Sequence, residues 1–195
     1  MKHTFGKQAK RAGLALAAVA AFTALGIGTA QAQQFVSAGI SLDNAGNMVC
    51  KFRETGLGAL ALVTYDCSAE GVGVVSACFV KNKFVPDSFS VAIVKNVTVE
   101  ESTPLLAKNN GAINGTITVE VPEGGGEATC NEAAGAEPHT VAVRWCQMQL
   151  KDVTNNIVGT SVFQLTDTLL RTDAQVPPIP TCTEILASPG TGGEG

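Results

Sequence analysis

The stretch from Cys50 to Cys78 constrains this chain most, because it holds three of the six cysteines and the densest apolar and β-branched run of the sequence. It reads CKFRETGLGALALVTYDCSAEGVGVVSAC. β-Branched residues favour strands, and glycine favours the tight turns between strands. The stretch therefore predicts a disulfide-bearing β-hairpin and its continuation, around which the rest of the domain is built.

All six cysteines are candidates for disulfide bonds. The smallest spacing between two of them is eleven residues, whereas zinc sites use close pairs such as CxxC, so we expect no metal site. An even number of cysteines in an exported chain favours three disulfides. Six cysteines allow about fifteen pairings, and their spacing alone does not choose among them. The predicted disulfide cysteines are Cys50, Cys67, Cys78, Cys130, Cys146 and Cys182.

Residues 1–32 have the parts of a secretory signal peptide. Basic residues precede an apolar run from Gly13 to Gly28, and small residues at Ala30 and Ala32 form the cleavage site. The run is shorter than the stretch of about 20 residues that spans a bilayer. We therefore expect cleavage after Ala32, secretion from a bacterial cell into the envelope or the extracellular space, and no transmembrane segment in the mature chain.

The expected mature chain is acidic. Four of the thirteen basic residues and none of the seventeen acidic ones lie in residues 1–32, so nine basic and seventeen acidic residues remain and the net charge is about −8. Such a charge cannot neutralise phosphates and offers no basic face to anionic lipid. Nucleic acid is therefore not an expected partner.

The mature chain reads as one domain, residues 33–173, followed by a Pro/Gly-rich tail, residues 174–195. Strand-length apolar runs separated by turn residues, without a helical period, predict an all-β fold, an antiparallel β-sandwich stabilised by disulfides. Residues 127–137 are expected to form a loop. The predicted strands are Phe35–Leu42, Met48–Arg53, Ala59–Cys67, Val72–Val80, Ser90–Val97, Ala112–Val121, Thr140–Leu150 and Ile157–Thr172, the last with a break inside it.

Cys182 is the exception within the tail. A segment rich in proline and glycine buries too little apolar surface to hold itself in place. A cysteine there is expected to tie the tail to the domain. Its predicted partner is Cys146, which is the nearest cysteine in the sequence and lies in a strand beside Trp145, the only tryptophan.

No catalytic residue and no cofactor is predicted. After residue 32 the only histidine is His139, and no nucleophile or phosphate-binding motif is present. The alternative to a binding module is a secreted carbohydrate-active or other hydrolytic enzyme that uses paired carboxylates. Its candidate pairs are Glu100 with Glu101 and Glu120 with Glu123, and its aromatic platform would be Trp145 or Tyr65.

Three residues are candidates for recognition of a partner: Arg53 and Glu54, within FRETGLG, and Trp145. For the first two, the competing interpretation is a structured turn whose charges pair with neighbouring strands. A carbohydrate-binding protein would expose Trp145 in a cleft, whereas a structural domain would bury it against a disulfide. The expected partner is a protein or an envelope polymer that contacts a strand surface or edge, and self-association is one form of such contact.

Several motifs resemble those of a group of small secreted bacterial proteins of uncharacterised function. The resemblance lies in residues 50–58, CKFRETGLG, in residues 65–69, YDCSA, in Cys78 and in residues 151–155, KDVTN. It implies an exported, disulfide-bonded β domain and brings no catalytic residues. It also implies that Cys146 and Cys182 are additions that pair with each other, which leaves the other four cysteines to pair among themselves.

Overall fold

A computed structural model describes residues 32–100, 104–122, 130, 135–168 and 177–189. The predicted signal peptide, apart from its last residue, lies outside these residues, as do most of the predicted 127–137 loop and parts of the tail. The described residues form ten strands and one helix: β1 (Gln34–Leu42), β2 (Met48–Thr55), β3 (Leu62–Val63), β4 (Tyr65–Val80), β5 (Lys83–Phe84), β6 (Ser90–Glu100), β7 (Leu105–Leu106), β8 (Ile113–Val119), β9 (Ala136–Asp152), β10 (Ile157–Thr168) and α1 (Cys182–Ala187).

The strands form two main antiparallel sheets and one small one. The smaller main sheet has the order β1-β2-β8, and the larger has the order β10-β9-β4-β5, with β6 also paired to β4. Strands β3 and β7 form a separate two-stranded sheet. Each pairing is antiparallel. The predicted all-β antiparallel fold is therefore confirmed.

Side chains from both main sheets meet in one core. Along β2, for example, Cys50 and Phe52 are buried while Lys51 and Arg53 are exposed, which is the period of two that a strand imposes. Members of this core from the larger sheet include Trp145, which is fully buried. Apolar burial between the sheets stabilises the fold by about 25 cal/mol per Å² of apolar surface removed from water.

The hairpin predicted between Cys50 and Cys78 is wrong. Strand β2 pairs with β1 and β8, whereas β4 pairs with β5, β6 and β9, so these two strands lie in different sheets. The intervening residues carry the chain from one sheet to the other through β3. The prediction took neighbours in the sequence to be neighbours in a sheet, a rule that fails for about a third of strands.

The break predicted between Cys67 and Val72 is also absent. Strand β4 runs for 16 residues from Tyr65 to Val80 through Gly71. Glycine inside a strand can mark a close approach by another part of the protein instead of a turn. Here a Cβ atom on Gly71 would lie 2.7 Å from Cγ2 of Ile185, so α1 packs where a side chain would otherwise stand.

Three disulfides join all six cysteines, and no cysteine is free, as predicted. Cys146 is bonded to Cys182, which confirms the pairing predicted for the tail. The remaining four pair among themselves, Cys50 with Cys67 and Cys78 with Cys130. The Cys50–Cys67 bond links β2 to β4 and is therefore a covalent connection between the two main sheets.

The tail contains a short helix that was not predicted. α1 spans six residues and begins with a capping box, in which the Thr181 hydroxyl accepts from the Glu184 backbone and the Glu184 carboxylate accepts from the Thr181 backbone. The guanidinium of Arg144 on β9 donates to the carbonyl oxygens of Ile179 and Pro180. A helix this short is held by its contacts and not by its own propensity. Its sequence sign is Thr181 three residues before Glu184, the spacing of a capping box.

Candidate functional site

Of the three candidate recognition residues, Arg53 is at the surface. It lies on the outer face of β2, in register with Ser37 of β1 and Asn114 of β8. Glu54 and Trp145 have no exposed surface, and the indole N–H of Trp145 donates to the Gly46 carbonyl oxygen at 2.9 Å. A partner at the surface of this structure could contact only Arg53 of the three.

Glu54 belongs to a polar group buried inside the core. The Tyr65 hydroxyl on β4 donates to its Oε2 at 2.8 Å. Asp152, at the end of β9, is also fully buried, and its two oxygens accept from the backbone and side-chain nitrogens of Asn155 at 2.9 and 2.7 Å. Among the described residues, the buried Oε1 of Glu54 has no hydrogen-bond donor.

Burial raises the pKa of Glu54 from 4.5 to about 7. The hydrogen bond from Tyr65 lowers this pKa, while the charge of Asp152 and a hydrogen bond with its side chain raise it. Burial, together with the hydrogen bond to Glu54 and the charges of both carboxylates, also raises the pKa of Tyr65. A Glu54 carboxyl group that holds its proton could donate it to the side chain of Asp152.

This buried group connects the two main sheets. Glu54 comes from β2, whereas Tyr65 and Asp152 come from adjacent strands of the larger sheet and face each other in register. Paired carboxyl groups can catalyse hydrolysis only where a substrate reaches them. Glu54 and Asp152 are 0% exposed, so in this structure no substrate reaches them.

The larger sheet carries an irregularity that creates a second polar feature on its outer face. On four strands, two apolar residues three positions apart both pack in the main core. In a regular strand such residues point to opposite faces, so the two residues between them must both lie on the outer side. The pairs are Ala69 and Val72 on β4, Val94 and Val97 on β6, Trp145 and Met148 on β9, and Val162 and Leu165 on β10.

The extra outward residues fall in one row across the sheet. The surrounding register pairs place Glu70 of β4 opposite Asn96 of β6 and Gln147 of β9, and place Phe163 of β10 opposite Gln147. Asn96 and Gln147 have φ values of 52° and 51°, in the left-handed region that asparagine adopts fairly readily but that is costly for glutamine. The alternation of inward and outward side chains shifts at the same position on all four strands. The pairing register between the strands is therefore the same on both sides of the row.

A second row runs beside the first. Thr98 of β6 pairs with Ser68 of β4, Ser68 pairs with Gln149 of β9, and Gln149 pairs with Ser161 of β10. The two rows line a cleft of about 640 Å³. We call it the outer-face cleft.

The outer-face cleft is rich in neutral hydrogen-bonding groups. With its amide nitrogen turned toward the carboxylate, Gln147 donates to both oxygens of Glu70 at 2.9 and 3.0 Å. Glu70 is the one charged residue among those that line the cleft. Phe163 is 63% exposed and supplies an apolar ring at the β10 side.

Helix α1 covers the residues next to the first row. Ile185 packs against Gly71 and Gly73, and the Lys95 ammonium donates to the Leu186 carbonyl oxygen at 2.6 Å. The Cys146–Cys182 bond holds the helix there. The nearest cation of β6 is thereby bound to the helix, and the cleft beside it stays open.

The other sequence candidates are not brought together. His139 is exposed and stacks edge-on against Phe79, with ring centroids 5.3 Å apart. Glu120 is exposed, while its predicted partner Glu123, like Glu101 of the other pair, lies outside the described residues. Within the described ranges, acidic, histidine and cysteine side chains form no group of three that could hold a metal ion. No helix among those same residues is long and apolar enough to cross a membrane.

Sequence reasoning missed the outer-face cleft because no motif joins its residues, and the motif that contains Ser68 and Ala69, YDCSA, gave no sign of a cleft. A signal was nevertheless present, since apolar residues three apart interrupt the alternation of β4, β6, β9 and β10. One such interruption suggests a bulge. Four interruptions can be recognised as one row only when the register of the strands is known.

No protein-family model matches the chain, and no curated protein or solved structure is significantly similar to it. The resemblance of its cysteine and FRETGLG motifs to secreted bacterial proteins therefore stays a prediction.

Proposed function

We propose that the protein is a secreted binding module of the bacterial envelope or extracellular space, and that it acts by contact through the outer-face cleft. The observation that carries this proposal is the pair of rows that present eight side chains on one face of the larger sheet. Strained backbone in non-glycine residues persists where the surrounding structure enforces it, and it concentrates at binding and catalytic sites. Asn96 and Gln147 show that conformation within the first row.

The three disulfides support secretion. Such bonds form and persist in oxidising surroundings such as the periplasm or the extracellular space. The expected mature charge of about −8 favours solubility there.

Binding is favoured over the alternative of a hydrolase with paired carboxylates. Such an enzyme needs two carboxyl groups that a substrate can reach. The outer-face cleft offers Glu70 alone among its lining residues, and the pair Glu54 and Asp152 lies inside the core.

A surface suited to self-association lies elsewhere on the molecule. Leu62 of β3 and Leu106 of β7 are opposite each other in register and are 61% and 57% exposed, and Leu60 beside them is 59% exposed. The edges of the main sheets are less available to a second chain, because β1 contacts β10 and β6 contacts β8. We therefore propose this leucine patch, and not a sheet edge, as the contact between copies.

The experiment that tests the proposed function is binding of the mature protein to isolated bacterial envelope fractions and purified polysaccharides. A cleft variant, Gln149→Ala with Phe163→Ala, is expected to lose capture. A control variant, Thr116→Ala with Thr118→Ala, changes exposed residues of β8 and is expected to bind as the wild type does. Equal capture by both variants, or loss of capture in Arg53→Ala alone, would contradict the cleft as the binding face.

A further inference from the structure

We propose that the outer-face cleft binds a neutral glycan, with one sugar ring against Phe163 and its hydroxyl groups hydrogen-bonded by the two polar rows. This inference rests on the proposed binding function and names its ligand class. The evidence is the chemistry of the lining residues, their charge and the size of the cleft.

The lining residues match a ligand that is dense in hydroxyl groups. Amides such as those of Gln147 and Gln149 donate and accept at once, as do the hydroxyls of Ser68, Thr98 and Ser161. A sugar hydroxyl has the same dual capacity, so each such contact can be satisfied in either direction. A ligand with few polar groups would leave these side chains without partners, which costs binding free energy.

Phe163 supplies the apolar part of the site. A large aromatic side chain that is 63% exposed among polar neighbours loses the free energy that burial would give it. The face of a sugar ring carries C–H groups, which can cover the aromatic ring while the hydroxyls at its rim reach the polar rows. Aromatic residues in such positions often carry most of the binding energy of an interface.

The charge of the residues that line the cleft favours neutral glycans over anionic ones. The charged lining residue is Glu70, and Lys95, the cation nearest in the sequence to Asn96, is hydrogen-bonded to the Leu186 carbonyl oxygen. A phosphate, sulfate or uronate group in the cleft would therefore approach a carboxylate, and none of the lining residues is a cation that could offset that charge. The hydrogen bonds from Gln147 hold Glu70 as an acceptor for ligand hydroxyls.

The size of the cleft suits a short stretch of a glycan chain. Its volume of about 640 Å³ lies in the range of small-ligand sites, about 300 to 1,000 Å³. It lies on an open sheet face, so a longer chain can pass through it and extend at both ends. Binding without conformational change in the protein is expected, because the rows are fixed by the register of four strands.

The test is affinity electrophoresis and calorimetry of the mature protein with neutral glycans (dextran, laminarin, mannan and chito-oligosaccharides) and with anionic polygalacturonate. We expect at least one neutral glycan to bind, Phe163→Ala to weaken that binding at least tenfold, and Phe163→Trp to retain it. The Thr116→Ala, Thr118→Ala control should bind as the wild type does. Circular dichroism and thermal melting verify that each variant is folded.

The possible outcomes distinguish a failure of the proposed glycan ligand from a failure of the proposed binding function. Binding of a neutral glycan that Phe163→Ala leaves unchanged would overturn the placement of the ligand in the cleft. Capture of envelope material that depends on the cleft, but no binding of any neutral glycan, would overturn the glycan class and leave the binding function intact. A stronger interaction with polygalacturonate, or with a cationic peptide, would also overturn it. Absence of all binding would overturn both proposals.

Discussion

The hydroxyl of Tyr65 on β4 donates a hydrogen bond of 2.8 Å to Oε2 of Glu54 on β2, and so links the two main sheets inside the core. Both side chains are fully buried. A buried hydrogen bond adds little to the net free energy of folding. A buried polar group without a partner, however, destabilises the folded state by the whole hydration free energy that it has lost. The three polar groups at Glu54, Tyr65 and Asp152 therefore depend on one another.

Replacing Tyr65 with Phe should destabilise the protein by about 1 to 3 kcal/mol, because Oε2 of Glu54 then loses its donor. Urea denaturation measures the change. The control is the same replacement in a Glu54→Gln background. A neutral amide loses less free energy than a carboxylate when it lacks the Tyr65 hydroxyl, so Tyr65→Phe should destabilise this background less. An equal cost in both backgrounds would mean that the hydroxyl is not coupled to Glu54.

Stability should decline as the pH rises through neutrality. The pKa of Glu54 is about 7 in the folded protein and 4.5 ordinarily, so the folded state binds the proton more tightly. Its contribution is complete below about pH 4.5 and is lost as the pH rises through about 7. From pH 5 to 8 the wild type should lose about 1 to 3 kcal/mol of unfolding free energy relative to Glu54→Gln. Parallel pH profiles of the two proteins would contradict this assignment.

Some parts of the fold could be predicted because their cause is local. The alternation along β2 and the turn residues near Asp43 and Gly46 set strand and turn without reference to the rest of the chain. The bond between Cys146 and Cys182 was predicted because a tail with few apolar residues needs an anchor. For the strand and the turn, neighbouring residues contained the information, whereas the disulfide followed from the composition of the tail and from Cys146 being the nearest cysteine.

Other parts depend on which strands become neighbours. Glu54 lies just beyond the predicted strand Met48–Arg53, whereas β2 continues to Thr55, so Glu54 shares the face of Cys50 and Phe52 that the larger sheet covers. The row from Asn96 to Phe163 exists only once β6, β4, β9 and β10 are side by side. The positions of the six cysteines and of the predicted strands do not determine the order of the strands in the larger sheet. The outer-face cleft therefore could not be derived from the sequence.

Removing the Cys146–Cys182 bond by Ala substitutions should release α1 from the sheet. The closed segment has a sequence separation of 36 residues, for which loop entropy predicts a loss of about 3 to 4 kcal/mol. Limited proteolysis followed by mass spectrometry should show cleavage between β10 and α1 before global unfolding. The matched control removes Cys78 and Cys130, whose separation is 52 residues. It should lose comparable stability while the C-terminal segment stays protected. Equal protection of that segment in both variants would contradict the anchoring role.

Gly71 should be restricted to glycine by the packing of α1. A Cβ atom there would lie 2.7 Å from Cγ2 of the fully buried Ile185, closer than two carbon atoms can approach. Gly71→Ala is therefore expected to cost about 1 to 3 kcal/mol. Gly39 is the control, because a Cβ atom on this exposed β1 residue meets nothing within 4 Å.

The identity of the clashing partner can be established with a double variant. Ile185→Ala alone leaves a cavity and should also destabilise, by about 2 to 4 kcal/mol. In combination, the new methyl group of Gly71→Ala enters the space that Ile185 vacates, so the pair should cost clearly less than the sum of the two single variants. Thermal melting of the four proteins measures this coupling. Strict additivity would show that Gly71 is constrained by something other than Ile185, and would remove α1 as the reason why a glycine stands in the middle of β4.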